Sequence, residues 1–162
     1  LLEEGVRPEL IDQAAVHFGM LMGPVELADT VGLDVCLAVA ENLTSYYGGV
    51  VPHLLREYVK NGSLGRKTDK GFYSYKNGKP IKRKYEKHES EEVWANRLID
   101  PLINEAKKCL TEGVVADSDL LDAGIIFATG FAPFRGGPMN YDIAKHEKKS
   151  VAKKIVASSV VV

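Results

Sequence analysis

The stretch from residue 61 to residue 75, NGSLGRKTDKGFYSY, combines glycines, basic residues and aromatic residues in a pattern that could serve a nucleotide phosphate. A phosphate-binding loop of the NTPase type needs GxxxxGK followed by Ser or Thr, between a strand and a helix, so that backbone amides and the lysine surround the phosphates. Here Gly65 is followed at once by Arg66-Lys67-Thr68, and that motif does not occur. We therefore predict that the glycines form turns and that the aromatic residues pack a short extended segment against helices.

Other residue types that do chemistry show no productive spacing. The four histidines form no HExxH or paired-ligand pattern, and no GxSxG or Cys–His arrangement indicates covalent catalysis. The GxGxxG fingerprint of dinucleotide-binding folds is also missing. We therefore predict no catalytic, metal-binding or cofactor-binding residue in this chain.

Composition is that of an ordinary globular protein of 162 residues, with 45% hydrophobic and 27% charged residues. A net charge of −1 gives no general attraction to nucleic acid, and no apolar run reaches the roughly 20 residues needed to span a bilayer. Cys36 and Cys109 are far apart without a CxxC partner, which favours a reducing compartment. We expect a cytoplasmic location.

Helical patterns dominate the chain. Apolar spacing of three and four residues predicts helices over 8–18, 34–47, 52–60, 91–110 and 117–129, with Gly/Pro turns at 23–24 and 136–138. Residues 76–90 are polar and basic and are interpreted as a linker, and residues 151–162 as a tail. The opening residues LLEE look like the end of a helix already under way, so we expect the chain to be a piece of a longer protein.

An internal repeat relates the two ends of the chain. Residues 3–29 and 111–142 share the order Glu-Gly-Val, a polar turn, an apolar-Asp pair, a helix, a Gly/Pro turn and a final Asp. The apolar-Asp pairs are Ile11-Asp12 and Leu121-Asp122. Chance similarity of two helix-turn-helix pieces is the alternative, but the shared order of unusual residues favours duplication.

Four stretches in order resemble the C-terminal region of the NAD-dependent 3-hydroxyacyl-CoA dehydrogenases, in the tandem-repeat form found in the multifunctional fatty-acid oxidation protein. They are FGMLMGPVELADTVGLDV (18–35), GRKTDKGFYSY (65–75), ANRLIDPLINEA (95–106) and GFAPFRGGPMNYD (130–142). The resemblance implies an all-α fold of two similar helical repeats, like the C-terminal domain of 6-phosphogluconate dehydrogenase. Residues 1–75 are then the first repeat without its leading helix, and residues 91–150 the second.

The resemblance also implies a function. The chain is expected to be the substrate-binding and dimerisation-type domain of an enzyme that oxidises 3-hydroxyacyl-CoA to 3-ketoacyl-CoA with NAD in fatty-acid β-oxidation. Its catalytic His–Glu pair would lie in a preceding Rossmann domain, so the fragment alone is expected to be inactive. The implied partners are acyl-CoA and that Rossmann domain. Self-association, binding of a thiolase subunit and the presence of an upstream hydratase domain are open alternatives.

Site residues follow from the matching motifs. The turn Met22-Gly23-Pro24 resembles the part of the family that lies close to bound acyl-CoA, and Arg66 and Lys67 are candidates for its phosphates. Asn96 resembles a substrate-positioning asparagine but falls in the second repeat, where a structural role is expected. The alternative from another class is a stand-alone helical interaction module, which an upstream GxGxxG segment would exclude.

Overall fold

The computed structural model describes residues 1–84, 88 and 90–147, and most of these residues are helical. The helices are α1 (Pro8–Phe18), α2 (Pro24–Val31), α3 (Leu33–Tyr47), α4 (His53–Lys60), α5 (Glu91–Thr111) and α6 (Ser118–Thr129). Residues 138–147 are helical as well and are called α7. Single 3₁₀ turns occupy Leu2–Glu4, Arg66–Thr68 and Pro133–Arg135, and an antiparallel hairpin joins β1 (Ser74–Lys76) to β2 (Lys79–Ile81). The predicted all-α class is confirmed.

The chain divides into two compact units. The first comprises Leu1–Phe18 and Met22–Ala95, and the second comprises Gly19–Leu21 and the chain from Asn96 onward. The boundary falls within α5, so this helix contributes its first turn to one unit and the remainder to the other.

In the first unit, α1 packs on α2, and α3 packs on α4. Helix α1 is buried on almost every side because its apolar residues recur every three to four positions and because Glu9 and Asp12 accept hydrogen bonds from other segments. The buried apolar side chains of the unit are Leu10, Ile11, Ala14, Ala15, Phe18, Val25, Leu33, Val51, Tyr73, Tyr75 and Ala95. Two hairpin-segment tyrosines thus belong to the core, as the aromatic pattern predicted.

The β-hairpin extends into the segment that the sequence analysis interpreted as a linker. Asn77 and Gly78 both have positive φ, which suits a tight two-residue hairpin turn, so the chain folds back on itself there. Beyond β2, Lys82 pairs with Glu26 and the Arg83 amide donates to the Glu9 carboxylate. Residues 76–83 are therefore a structured part of the first unit, because turn chemistry and these contacts outweigh the polar composition.

In the second unit, α6 begins and ends at common capping residues, an aspartate and a glycine. Asp117 caps its start by accepting from the Leu120 amide at 2.8 Å, and Gly130 ends it in the left-handed conformation. The buried apolar residues of this unit are Ile99, Ile103, Ala106, Leu121, Phe131, Ala132 and Met139. Those of α5 follow helical spacing, as predicted.

Candidate functional site

The turn at residues 22–24 is held in place by the carboxylate of Asp12, which projects from α1. Asp12 Oδ1 accepts a hydrogen bond from the Val25 amide at 2.7 Å, and Oδ2 accepts from the Glu26 amide at 3.0 Å. These amides belong to the first turn of α2, where backbone N–H groups have no partner within the helix. A buried carboxylate from another helix therefore supplies the cap that Gly23, at the N-cap position, cannot supply.

Gly23 is required by the closeness of that carboxylate. A Cβ built on Gly23 would lie 2.1 Å from Asp12 Cγ and 2.3 Å from Asp12 Oδ1, which is far inside van der Waals contact. Pro24 then fills the first position of α2, where the missing N–H costs nothing and the fixed φ suits the helix. The turn is consequently held in one conformation, and few other residues can replace Gly23 and Pro24.

Apolar side chains are exposed in the turn and on the two helices that follow it. Met22 is 40% exposed, and α2 and α3 each expose apolar side chains at helical spacing: Leu27 and Val31 on α2, and Val35, Val39 and Leu43 on α3. Half-exposed aliphatic side chains at such spacing suit an apolar ligand or another apolar surface.

The segment 65–75 wraps around a second buried carboxylate, that of Asp29. Asp29 is fully buried and accepts hydrogen bonds from the Phe72 amide at 2.9 Å, the Tyr73 amide at 2.8 Å and the Tyr75 hydroxyl at 3.2 Å. A Cβ on Gly71 would lie 2.1 Å from Asp29 Oδ1. This glycine lets the backbone approach Asp29, so the glycine-rich stretch binds a carboxylate of its own chain.

Tyr73 joins the two carboxylates into one network. Its amide donates to Asp29, and its hydroxyl donates to Asp12 Oδ2 at 2.8 Å. Burial raises the pKa of Asp12 and of Asp29, although the hydrogen bonds that each accepts act in the opposite direction. Burial and the neighbouring carboxylates likewise raise the pKa values of Tyr73 and Tyr75, so both hydroxyls stay protonated as donors.

The two basic candidates of the sequence analysis lie in different surroundings. Lys67 Nζ contacts both carboxylate oxygens of Asp34, at 2.5 and 2.7 Å, and this ammonium lowers the pKa of Asp34. Arg66 is exposed and its guanidinium extends toward the hairpin turn, where Nε would lie 3.7 Å from a Cβ on Gly78. Lys67 is thus engaged by an acid of its own chain, whereas Arg66 faces solvent.

The second unit contains the same arrangement as the 22–24 turn. Asp122 accepts from the Met139 amide at 2.7 Å and from the Asn140 amide at 3.1 Å, in the first turn of α7. A Cβ on Gly137 would lie 2.3 Å from Asp122 Cγ. Thus an apolar-Asp pair, a Gly-Pro turn and two capped amides occur in both units, in the same order along the chain.

The side chain of Asn96 is hydrogen-bonded within the second unit. Its Oδ1 accepts from Lys145 Nζ at 2.9 Å, and the same ammonium contacts Asp100 at 2.6 Å. The side chain that resembles a substrate-positioning asparagine therefore links α5 to α7.

Sequence reasoning missed the role of Asp12 and Asp29, and it missed a contact of His17. The repeated apolar-Asp pair was the available signal for Asp12. His17 Nδ1 lies against the Glu91 carboxylate, which is 9% exposed, so the end of α1 is tied to the start of α5 within the first unit. Nothing in the spacing of residues 17 and 91 indicates this contact.

Two further observations bound the site. Within the described ranges, no group of three or more His, Cys, Asp and Glu side chains is placed to bind a metal ion. None of the helices in that part of the chain is both long enough and apolar enough to span a membrane.

Comparison with known proteins agrees with this architecture. Residues 1–75 match the family model described as 3-hydroxyacyl-CoA dehydrogenase, C-terminal domain. Relatives include the fatty acid oxidation complex subunits alpha of Vibrio cholerae, 34% identical, and of Idiomarina loihiensis, 36% identical; each match covers 87% of this chain and 22% of the relative. The crystal structure of the dehydrogenase part of multifunctional enzyme 1 from C. elegans matches with a TM-score of 0.59 and 29% identity, over 79% of this chain and 32% of that one.

Residues 1–75, which contain the Gly-Pro turn and the Asp12 cap, thus match the C-terminal domain of the 3-hydroxyacyl-CoA dehydrogenases, the resemblance that the sequence predicted. The chain as a whole is similar to fatty acid oxidation complex alpha subunits and to the dehydrogenase part of a multifunctional enzyme. It spans about a fifth of the length of the curated relatives it matches.

Proposed function

We propose that this chain is the substrate-binding domain of an enzyme that oxidises 3-hydroxyacyl-CoA to 3-ketoacyl-CoA in fatty-acid oxidation. The observation that supports this most is the turn at 22–24, which belongs to the residues matched by the family model and is fixed by Asp12. Preorganised turns give substrates a defined wall without an ordering cost at binding. Within this turn, Met22 contacts the acyl chain, because its flexible thioether side chain adapts to an apolar ligand.

The described residues do not fit NAD, the cofactor that the resemblance implies. Dinucleotides bind where a strand, a glycine-rich turn and a helix meet at the edge of a parallel sheet. In the described part of the chain the strands form a single antiparallel hairpin, and its turn is Asn77-Gly78. We therefore assign NAD to a domain elsewhere in the full protein and derive no hydride-transfer step from these residues.

The exposed apolar side chains of α2 and α3 support a domain that packs against another protein surface. Leu27, Val31 and Val35 are each between 45% and 51% exposed, and side chains of this kind mark interaction sites when they are contiguous. Within the proposed enzyme, the candidates for that surface are the Rossmann domain, a second copy of the chain and a thiolase subunit.

We also propose that the chain is a tandem duplication, with repeats at 1–75 and 91–150. The matched caps of Asp12 and Asp122 support this, as do the matched close approaches of Gly23 and Gly137. The copies have diverged at their last aspartate: Asp29 is wrapped by the 65–75 segment, whereas Asp142 pairs with Lys107 at 2.7 Å. Residues 148–150 and the tail at 151–162 lie outside the described residues.

A chimeric enzyme tests the role of the turn. This chain replaces the matching region of the Vibrio cholerae subunit, and 3-hydroxyacyl-CoA oxidation is followed by NADH formation with short-chain and long-chain substrates. In the chimera, Met22→Ser should raise KM for the long-chain substrate about tenfold, because a lost apolar contact is worth roughly 1–2 kcal/mol. It should leave KM for the short-chain substrate and kcat nearly unchanged.

The matched control is Leu21→Ser, which changes an adjacent apolar residue that is 84% exposed. It should behave like the parent chimera with both substrates. Equal effects of the two substitutions, or a loss of kcat without a dependence on chain length, would contradict the assignment of Met22.

A further inference from the structure

Positive charge is concentrated in one part of the first unit. Residues 60–84 contain nine Lys and Arg residues and a single acid, Asp69, although the whole chain has a net charge of −1. Among the residues that the structure describes, two of the nine are neutralised by ion pairs, Lys67 with Asp34 and Lys82 with Glu26. The remaining cations make this segment strongly positive within a chain that is otherwise acidic.

Four of these cations lie together on the β-hairpin and its flank. Lys76 and Lys79 are Cα partners on either side of the hairpin turn, and Arg66 extends to that turn. Lys70 pairs with Ser74 in an isolated bridge at the start of β1. All four side chains are exposed, and among the described residues no acid lies within ion-pairing distance of them. We call these four residues the basic hairpin.

The outward face of the hairpin also carries an aliphatic side chain. In an antiparallel ladder, paired residues and residues two apart share a face, so Ile81 lies on the same face as Lys76 and Lys79. Ile81 is 57% exposed. The opposite face points inward through the buried ring of Tyr75. The exposed face is therefore cationic with one apolar residue among the charges.

We propose that the basic hairpin docks on the phosphates of an anionic phospholipid surface. Lys76 and Lys79 stand on a two-stranded ribbon, with Arg66 and Lys70 on its flank. A ribbon presents charge to an extended surface better than it encloses a single phosphate. An exposed Ile81 suits the boundary between headgroups and acyl chains. Single-stranded nucleic acid is recognised largely by stacking on aromatic rings, and the tyrosines of this segment, Tyr73 and Tyr75, are buried.

The expected strength follows from the number of cations. Each Lys or Arg near an anionic membrane surface increases binding by about fivefold, so four give an increase of several hundredfold over a neutral surface. This attraction is screened within about 8–10 Å at physiological salt, so it should weaken steeply as salt is added. If the chain serves an acyl-CoA enzyme, such docking places it where amphiphilic acyl substrates concentrate.

The test is cosedimentation of the complete 162-residue chain with phosphatidylcholine vesicles, with and without phosphatidylserine. We expect binding only when phosphatidylserine is present, and loss of that binding at high salt. The double substitution Lys76→Gln, Lys79→Gln should weaken binding about 25-fold. The control Lys107→Gln, Lys108→Gln removes the same charge from α5 and should bind like the unaltered chain. Circular dichroism establishes that both variants are folded.

Three results would overturn the proposal. Equal binding to both kinds of vesicle would show that charge does not direct the interaction. Equal weakening by the two double substitutions, or by neither, would remove the hairpin from it. Binding of soluble adenosine 3′,5′-bisphosphate that depends on Lys76 and Lys79, without vesicle binding, would identify a soluble phosphate ligand in place of a lipid surface.

Discussion

Replacing Gly23 by alanine is expected to destabilise the chain by about 3–5 kcal/mol, as the sum of an overpacking cost and of weakened hydrogen bonds to a buried carboxylate. The new Cβ would have to occupy space 2.1–2.3 Å from three atoms of Asp12. Since Asp12 is buried on α1 and caps α2, it cannot move away without losing its bonds to the Val25 and Glu26 amides. Urea unfolding followed by circular dichroism measures the effect.

Gly124→Ala is the matched control, because it makes the same chemical change inside a helix. Gly124 lies in α6, and a Cβ there meets no atom within 4 Å. Alanine is favoured over glycine in a helix by about 0.8–1 kcal/mol, so this variant should be slightly more stable than the parent. If Gly23→Ala were as well tolerated as Gly124→Ala, the Asp12 cap would not be what fixes the turn.

Replacing Asp29 by alanine is expected to cost about 3–5 kcal/mol, because each buried donor left without an acceptor costs about 1–3 kcal/mol. The donors are the amides of Phe72 and Tyr73 and the hydroxyl of Tyr75. Alanine also leaves a cavity at a site that is fully buried. The free energy of unfolding in urea gives the magnitude, and hydrogen exchange of the Phe72 and Tyr73 amides, which should accelerate, gives the location.

Asp34→Ala serves as the comparison, since it removes a carboxylate of the same size from the same unit. Asp34 contacts Lys67 at the surface, and exposed ion pairs contribute little. This variant should unfold close to the parent and should leave exchange of the Phe72 and Tyr73 amides unchanged. Similar losses for both variants would mean that Asp29 does not organise the 65–75 segment.

The sequence predicted those elements whose signals are local. Apolar spacing and Gly/Pro punctuation placed α1 and α6 within a residue or two, because helix boundaries depend on short-range capping chemistry. The failure of the phosphate-loop motif at Gly65 correctly left that stretch as a turn leading into a strand. The similarity to the dehydrogenase C-terminal domain followed from four ordered motifs, which are a long-range pattern visible without a structure.

What the sequence could not predict depends on contacts between distant residues. The bond between Tyr73 and Asp12 joins positions 61 residues apart, and the contact of His17 with Glu91 joins two different helices. The basic composition of 76–84 obscured the hairpin. Composition describes how well a whole segment is solvated, whereas the hairpin depends on a tight turn formed by two residues, Asn77 and Gly78. The contact of Lys67 with Asp34 is likewise not indicated by the local pattern, because the two residues lie 33 positions apart in the chain.

The central claim is that this chain supplies the substrate-binding domain of a 3-hydroxyacyl-CoA dehydrogenase. The most direct measurement is the rate of NADH formation from a 3-hydroxyacyl-CoA by the chimeric Vibrio cholerae subunit that carries this chain, compared with the same subunit lacking its matching region. The account predicts that the chimera restores oxidation and that the chimera with Gly23→Ala does not. A folded, stable chimera that forms no NADH would contradict the claim, as would one in which Gly23→Ala is fully active.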